Sequence, residues 1–237
     1  MLIDTVTRHD GEWFEARPET TRRRAVRERP VQPLSFAPIL SCGYPTPVLT
    51  TITTWSLQML RAEMLIPAPR PPSTAAPDLA FERVIAPTPA FARYLYTAVG
   101  GDWHWHDRLS WTHARWQRWL DREQVSIWLA WQGGAPGGYI ELEQQSQGDV
   151  EIVYFGLLPQ AIGTGLGAWL LYTGSARAWA LPGTRRVWVH TCSLDHPRAL
   201  DNYRRRGFEV FRTEQAERVL PPISGPWPGA YRQDGDR

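Results

Sequence analysis

Lysine is absent from this chain: all 26 of its basic residues are arginine. We attribute that bias to genome composition, and no mechanism follows from it. Cysteine is nearly absent, with only Cys42 and Cys192. One stands in a proline-rich stretch and the other in the expected core, which excludes a disulfide framework and fits a reducing, cytoplasmic setting. Excess charge of one sign is lacking too. A net charge of +2 and a pI of about 8.7 argue against nucleic acid or an anionic membrane as partner. No charged-then-apolar signal pattern opens the sequence. No uninterrupted apolar run is long enough to span a bilayer, because the stretch from Leu34 to Leu60 is broken by Pro38, Pro45, Pro47 and many Thr and Ser. Internal repeats are also absent.

What is present is enough for one domain with extra segments: 237 residues, 43% of them hydrophobic. Composition changes near residue 80. Thirteen of the 21 prolines lie in residues 1–90, and Pro67 to Pro72 is an extended-linker composition. Residues 1–78 are expected to be a disordered, proline-rich extension, with Arg22, Arg23 and Arg24 in a solvated tail. A translation start at Met59 or Met64 is an alternative account of the same stretch. Residues 79–220 form the expected domain, and 221–237 a flexible tail.

From Leu79 onward the periodicities are those of folded elements. Phe81 to Ile85 alternates as a strand. Pro89–Val99 and Thr112–Arg122 have helical spacing. Val125–Gln132 and Gly138–Gln144 predict a hairpin around a five-residue turn from Gly133 to Gly137. Asp149–Leu158 is a further strand, Ala168–Ala180 a helix, Arg186–Thr191 a strand, Pro197–Arg206 a short helix and Phe208–Thr213 a last strand. The expected class is α/β: a mixed, mostly antiparallel sheet with helices on both faces.

Between a strand and a helix lies Gln160-Ala-Ile-Gly163-Thr-Gly165-Leu-Gly167. Glycines there admit positive φ and let a ligand approach the backbone. The free N–H groups of the following helix can then bind a diphosphate. The same residues fit a dinucleotide fingerprint, but that fingerprint follows the first strand of its domain, and here three or more strands precede it. Nor does an acidic residue end the next strand, which closes on His190-Thr191.

Gln160-x-x-Gly163-x-Gly165 resembles the acetyl-coenzyme A motif of the GNAT superfamily of N-acetyltransferases. Ala199-Leu-Asp-Asn-Tyr203-Arg-Arg-Arg-Gly207-Phe208 resembles its second motif, one helix and one strand later. Val150 to Leu157 resembles the central strand of histone-acetylating members. The resemblance covers residues 80–215 and extends to a group of bacterial GNAT proteins of unassigned substrate. It implies a GNAT-type sheet and acetyl-coenzyme A as co-substrate without a metal. It also implies direct attack of a primary amine on the thioester. The amine would belong to a small molecule or amino acid; a protein lysine is an alternative acceptor.

The resemblance also distributes roles. Leu157, Leu158, Gln160, Ile162, Gly163, Thr164, Gly165, Leu166 and Gly167 would bind the coenzyme, with a backbone N–H near Phe155 to Leu157 for the thioester oxygen. Many members carry Asn where this chain has His196, whose ring can donate a similar hydrogen bond to the pantetheine arm. Tyr203 is the candidate general acid, since a phenol is protonated at neutral pH. Glu151 is the candidate base, on a face expected to include Val153 and Phe155, with Glu141 and Glu143 as competitors.

Residues 103–131 hold seven of the 13 tryptophans. Trp103 and Trp105 are candidates for an acceptor pocket that binds an apolar or cationic group. His104 and His106 lack an evident third metal ligand, and Cys192 is read as structural rather than nucleophilic. Two further functions compete: a non-catalytic acyl-coenzyme A sensor and a nucleotide-dependent oxidoreductase. Oligomeric state, monomer or homodimer, is not encoded in any pattern found.

Overall fold

The computed structural model describes residues 48–221. Expectations for residues 1–47 and for the tail beyond 221 lie outside the described residues. Among the described residues, seven strands form one sheet in the order β2-β3-β4-β5-β6-β1-β7. They are β1 (Val48–Met59), β2 (Ala80–Arg83), β3 (Val125–Gln132), β4 (Ala135–Gln144), β5 (Asp149–Leu157), β6 (Arg186–Cys192) and β7 (Glu209–Leu220). Only β5 and β6 pair in parallel; every other neighbouring pair is antiparallel.

Among the described residues, four α-helices cover the two faces: α1 (Pro89–Gly100), α2 (His113–Leu120), α3 (Leu166–Trp179) and α4 (Ala199–Arg205). Thr88 and Thr112 cap the first two, each hydroxyl accepting from a backbone N–H three residues on. Pro89 follows Thr88 at a position where its missing N–H costs nothing. On one face, Leu166, Leu170, Leu171 and Ala178 of α3 pack with Ile140, Leu142, Val150, Ile152, Val187 and Val189. On the other, Leu95, Tyr96 and Val99 of α1 and Trp116 and Leu120 of α2 pack with Ile127, Leu129 and Tyr139. This is the mixed, two-sided α/β fold expected from residue 79 onward.

Three expectations are corrected. First, β1 lies in the stretch read as an extension without structure. It inserts between β6 and β7, and Leu57 and Met59 are fully buried. The threonines that masked its apolar alternation are good strand formers. Second, the β3–β4 turn has two residues, Gly133 and Gly134, both at positive φ (58° and 77°). Such a turn matches the twist of paired strands, and the ladder absorbs the extra residue as a bulge beside Trp131 and Pro136.

The third correction concerns β5. Glu141 pairs with Tyr154 while its neighbour Leu142 pairs with Ile152, so Val153 is a bulge. A bulge consumes one residue of the alternation. Glu151 therefore shares its face with Tyr154, while Phe155 turns to the opposite face and meets Tyr203.

Candidate active site

The parallel ladder between β5 and β6 ends at Ile152 and Val189, yet β5 runs on to Leu157 and β6 to Cys192. The strands splay apart beyond that point. A cavity of about 800 Å³ opens there, lined by Val153 to Leu157 on one side and His190 to Cys192 on the other. The Leu158 N–H donates to the Gly137 carbonyl at 3.0 Å, on the β4 side. By strand alternation, the backbone groups of Leu157 and Phe155 face the cavity.

One end of the cavity is the loop into α3. Gly163 and Gly165 have φ of 87° and 86°, a conformation that other residues adopt at a cost, and nothing stands within 4 Å of where a Cβ would be. Gly165 immediately precedes α3, whose first N–H groups have no intrahelical acceptor. Two donors are engaged: Ile162 N–H bonds Pro159 O at 3.2 Å, and Leu166 N–H approaches the Thr164 hydroxyl at 3.4 Å. The amides of Gly163, Gly165, Gly167 and Ala168 remain for an anion, and all four residues line the cavity. Open space over glycine amides at a helix start, beside unpaired strand backbone, fits a diphosphate carrying an extended arm.

The opposite wall comes from α4 and the loop before it. Tyr203 is buried among Phe155 and Phe208 and lines the cavity. Burial, reinforced by Asp195, pushes its phenol well above the ordinary value, so the protonated form dominates. Asp195 is held in place by Thr191 Oγ1 at 2.6 Å and Cys192 N–H at 2.9 Å. His196 Nδ1 accepts from Arg198 N–H at 3.1 Å, which leaves the ring proton on Nε2. Burial and nearby Arg198 lower the His196 pKa, so this neutral, donating tautomer is favoured. Trp103 packs edge-on against His196 at 5.2 Å, and Trp105 lies against Tyr154 at 4.8 Å; both indoles line the cavity.

Among residues singled out in the sequence, the cavity wall brings together Trp103, Trp105, Leu157, Ile162, Gly163, Gly165, Gly167, His196 and Tyr203. Others stand off it. Leu158 and Leu166 are core residues. Gln160 donates to Pro136 O, and the Thr164 hydroxyl donates to Ala161 O, so both brace the loop from outside. Glu151 is not on the wall either. Its carboxylate accepts from Gln145 Nε2 at 2.6 Å and lies 3.6 Å from His190 Nδ1. Of its competitors, Glu141 is committed to Arg108 and Glu143 to Arg122.

Asn202 was not singled out in the sequence. It lines the cavity and donates to Gly167 O at 3.3 Å, tying α4 to the start of α3. Its only sequence signal is its place beside Tyr203. Among the described residues, no three His, Cys, Asp or Glu side chains gather as metal ligands, and no helix is long and apolar enough to cross a membrane.

Comparison with known proteins agrees with this architecture. Residues 92–208 match the model of the acetyltransferase (GNAT) family. A GCN5-related N-acetyltransferase from Kribbella flavida is 19% identical with a TM-score of 0.51, over 73% of this chain and 60% of that one. A second, from Sphaerobacter thermophilus, is 19% identical with a TM-score of 0.50, over 75% of this chain and 54% of that one. The chain thus spans little more than half the length of these relatives. At this identity the likeness concerns the fold. No curated protein matches the chain. By the family match over residues 92–208 and the fold around it, this part of the chain is a domain of the acetyltransferase (GNAT) family.

Proposed function

We propose that the protein is an N-acetyltransferase that moves an acetyl group from acetyl-coenzyme A to a primary amine of a small molecule. The carrying observation is the splay of β5 from β6, with glycine amides at one end of the opening and a protonated phenol in its wall. When bound, the coenzyme supplies a thioester carbonyl as acyl donor.

The residues around the cavity have separable tasks. Amides of Gly163, Gly165, Gly167 and Ala168 hold the diphosphate, and backbone groups of Phe155 and Leu157 align the pantetheine arm. His196 Nε2–H donates to that arm. Tyr203 supplies a proton to the departing sulfur. Glu151, which accepts from Gln145 and stands beside His190, is the candidate carboxylate for receiving the proton of the incoming ammonium through a neighbouring group. Trp103 and Trp105 give the acceptor an aromatic wall that suits an apolar or cationic body. The reading places the activity in the cytoplasm, where acetyl-coenzyme A and amines are available.

Two measurements test the reading. Calorimetry with acetyl-coenzyme A should show binding, and nicotinamide dinucleotides should not bind. Free-thiol release over an amine panel should then reveal turnover; binding without turnover on any amine would favour a sensor instead.

A further inference from the structure

We infer that His190, not Glu151, is the group that takes the proton from the acceptor ammonium, and that Glu151 positions it from behind. The inference rests on the acetyltransferase reading and goes beyond it by assigning the base. Glu151 lies off the cavity wall, whereas His190 lies on it and is half-exposed. A group that does not reach the cavity must act through one that does.

The hydrogen bonds around Glu151 run in one direction. Trp188 Nε1–H donates to Gln145 Oε1 at 3.1 Å, and Gln145 Nε2–H donates to Glu151 Oε2 at 2.6 Å. That chain fixes the amide orientation of Gln145, because an indole N–H can only donate. The other carboxylate oxygen, Oε1, faces His190 Nδ1 at 3.6 Å. A small closure of that 3.6 Å gap makes the carboxylate the acceptor of an Nδ1 proton, and the lone pair is then on Nε2. The arrangement is held by three neighbouring strands: Gln145 follows β4, Glu151 is on β5, and Trp188 and His190 are on β6. Trp188 pairs directly with Glu151 in the parallel ladder, two residues before the splay frees His190.

The charges facing His190 come from Glu151 on β5, Asp195 after β6 and Asp107 between α1 and α2. All three are acidic, and together with the Glu151 contact they raise the imidazole pKa against the opposing effect of burial. A base with such neighbours is suited to a cationic acceptor, which the same carboxylates attract.

The proton balance is explicit. His190 Nε2 takes one proton from the ammonium. The amine nitrogen forms a bond to the thioester carbon, and the carbon–sulfur bond breaks. The sulfur receives the Tyr203 proton, and the second proton lost by nitrogen restores the phenol. One proton, carried by His190, leaves to solvent.

The test uses the full chain in three forms: wild type, Glu151→Gln and His190→Gln. NMR titration of the imidazoles identifies His190 as the resonance missing in His190→Gln. Its midpoint should lie above the ordinary value of ~6.5 in wild type and fall in Glu151→Gln. An unchanged midpoint overturns the pairing whether or not the protein turns over. For the rate, thiol release is followed with whichever of methylamine, phenethylamine and spermidine reacts fastest. The rising limb of kcat/KM with pH should move to lower pH in Glu151→Gln by the NMR shift. In His190→Gln the rate should drop about 100- to 10,000-fold while acetyl-coenzyme A affinity stays at the wild-type value. A His190→Gln enzyme with the wild-type limb, beside a Glu151→Gln enzyme without one, makes Glu151 the direct base and sinks the inference. Absence of acetyl-coenzyme A binding by wild type overturns the acetyltransferase reading itself, a result separate from the NMR comparison.

Discussion

Arg108 and Glu141 form a bidentate ion pair inside the protein, with nitrogen–oxygen distances of 3.1 and 2.9 Å and side chains 4% and 2% exposed. Trp119 Nε1–H donates to the same carboxylate at 2.8 Å. The guanidinium also sits over the rings of Trp111, Trp119 and Tyr154 at 4.4 to 4.6 Å. Much of the tryptophan-rich segment is thus occupied by the protein's own arginine, and only Trp103 and Trp105 reach the cavity wall. The pair pins the loop before α2 to strand β4.

Breaking that pair by removing one partner leaves a buried charge without compensation. Glu141→Gln should lower the unfolding free energy by about 3–5 kcal/mol, measured by urea denaturation. A loss below ~1 kcal/mol, the range of exposed pairs, would show that water reaches the site.

Tyr203→Phe removes one hydroxyl from a buried ring and leaves its packing on Phe155 and Phe208. The expected outcome is a kcat lower by roughly 10- to 1,000-fold, with calorimetric affinity for acetyl-coenzyme A preserved. Equal rates in the two proteins would remove the phenol from the chemistry.

Gly207 has φ of 94°, and a Cβ there would meet the Met64 carbonyl oxygen at 1.8 Å. The motif glycine therefore serves packing, where the turn after α4 crosses the segment following β1. Gly207→Ala should destabilise by about 1–3 kcal/mol or more. Thermal unfolding of the variant checks this, and an unshifted midpoint would contradict the close approach.

Stability should depend on pH through His190. Its pKa is raised in the folded protein, first by the Glu151 contact. The stabilisation is fully present below the unfolded value of ~6.5 and fades as pH rises through the folded value. Glu151→Gln removes its main cause. The stability gap between wild type and variant should be widest near pH ~5.5 and shrink toward pH ~8.5. A gap independent of pH would mean that the pair does not form.

Leu57 tests the unexpected strand. It is fully buried between β6 and β7. Leu57→Ala should cost about 2–5 kcal/mol, whereas a residue in an unstructured extension would cost nothing measurable. Denaturant melts of the two proteins separate these outcomes.

The order of elements from β2 to β7 was legible because each depends on local pattern. Alternation marks strands, 3.6-residue spacing marks helices, and the glycines of the α3 loop announce positive φ before any partner is known. The turn into α3 and the helix that carries Tyr203 follow from local spacing for the same reason. The strand β1 was not. Its pattern, Trp55-x-Leu57-x-Met59, is short and surrounded by threonine, and its partners β6 and β7 lie more than 120 residues away. Nothing local distinguishes such a strand from a polar linker.

The face on which Glu151 lies was not legible for a related reason. Alternation alone put Glu151 and Phe155 on one face, and a bulge at Val153 separated them. Bulges are set by how two strands register, not by either strand's composition. Chain-local chemistry was enough to specify the α/β class and the glycine-rich turn into α3, since neighbouring residues carry those signals. Only folding in three dimensions decided which carboxylates are spent on Arg108 and Arg122, that Glu151 stands behind His190, and where β5 parts from β6. Each of these depends on contacts between segments distant in sequence, whose meeting follows from the packing of the whole sheet.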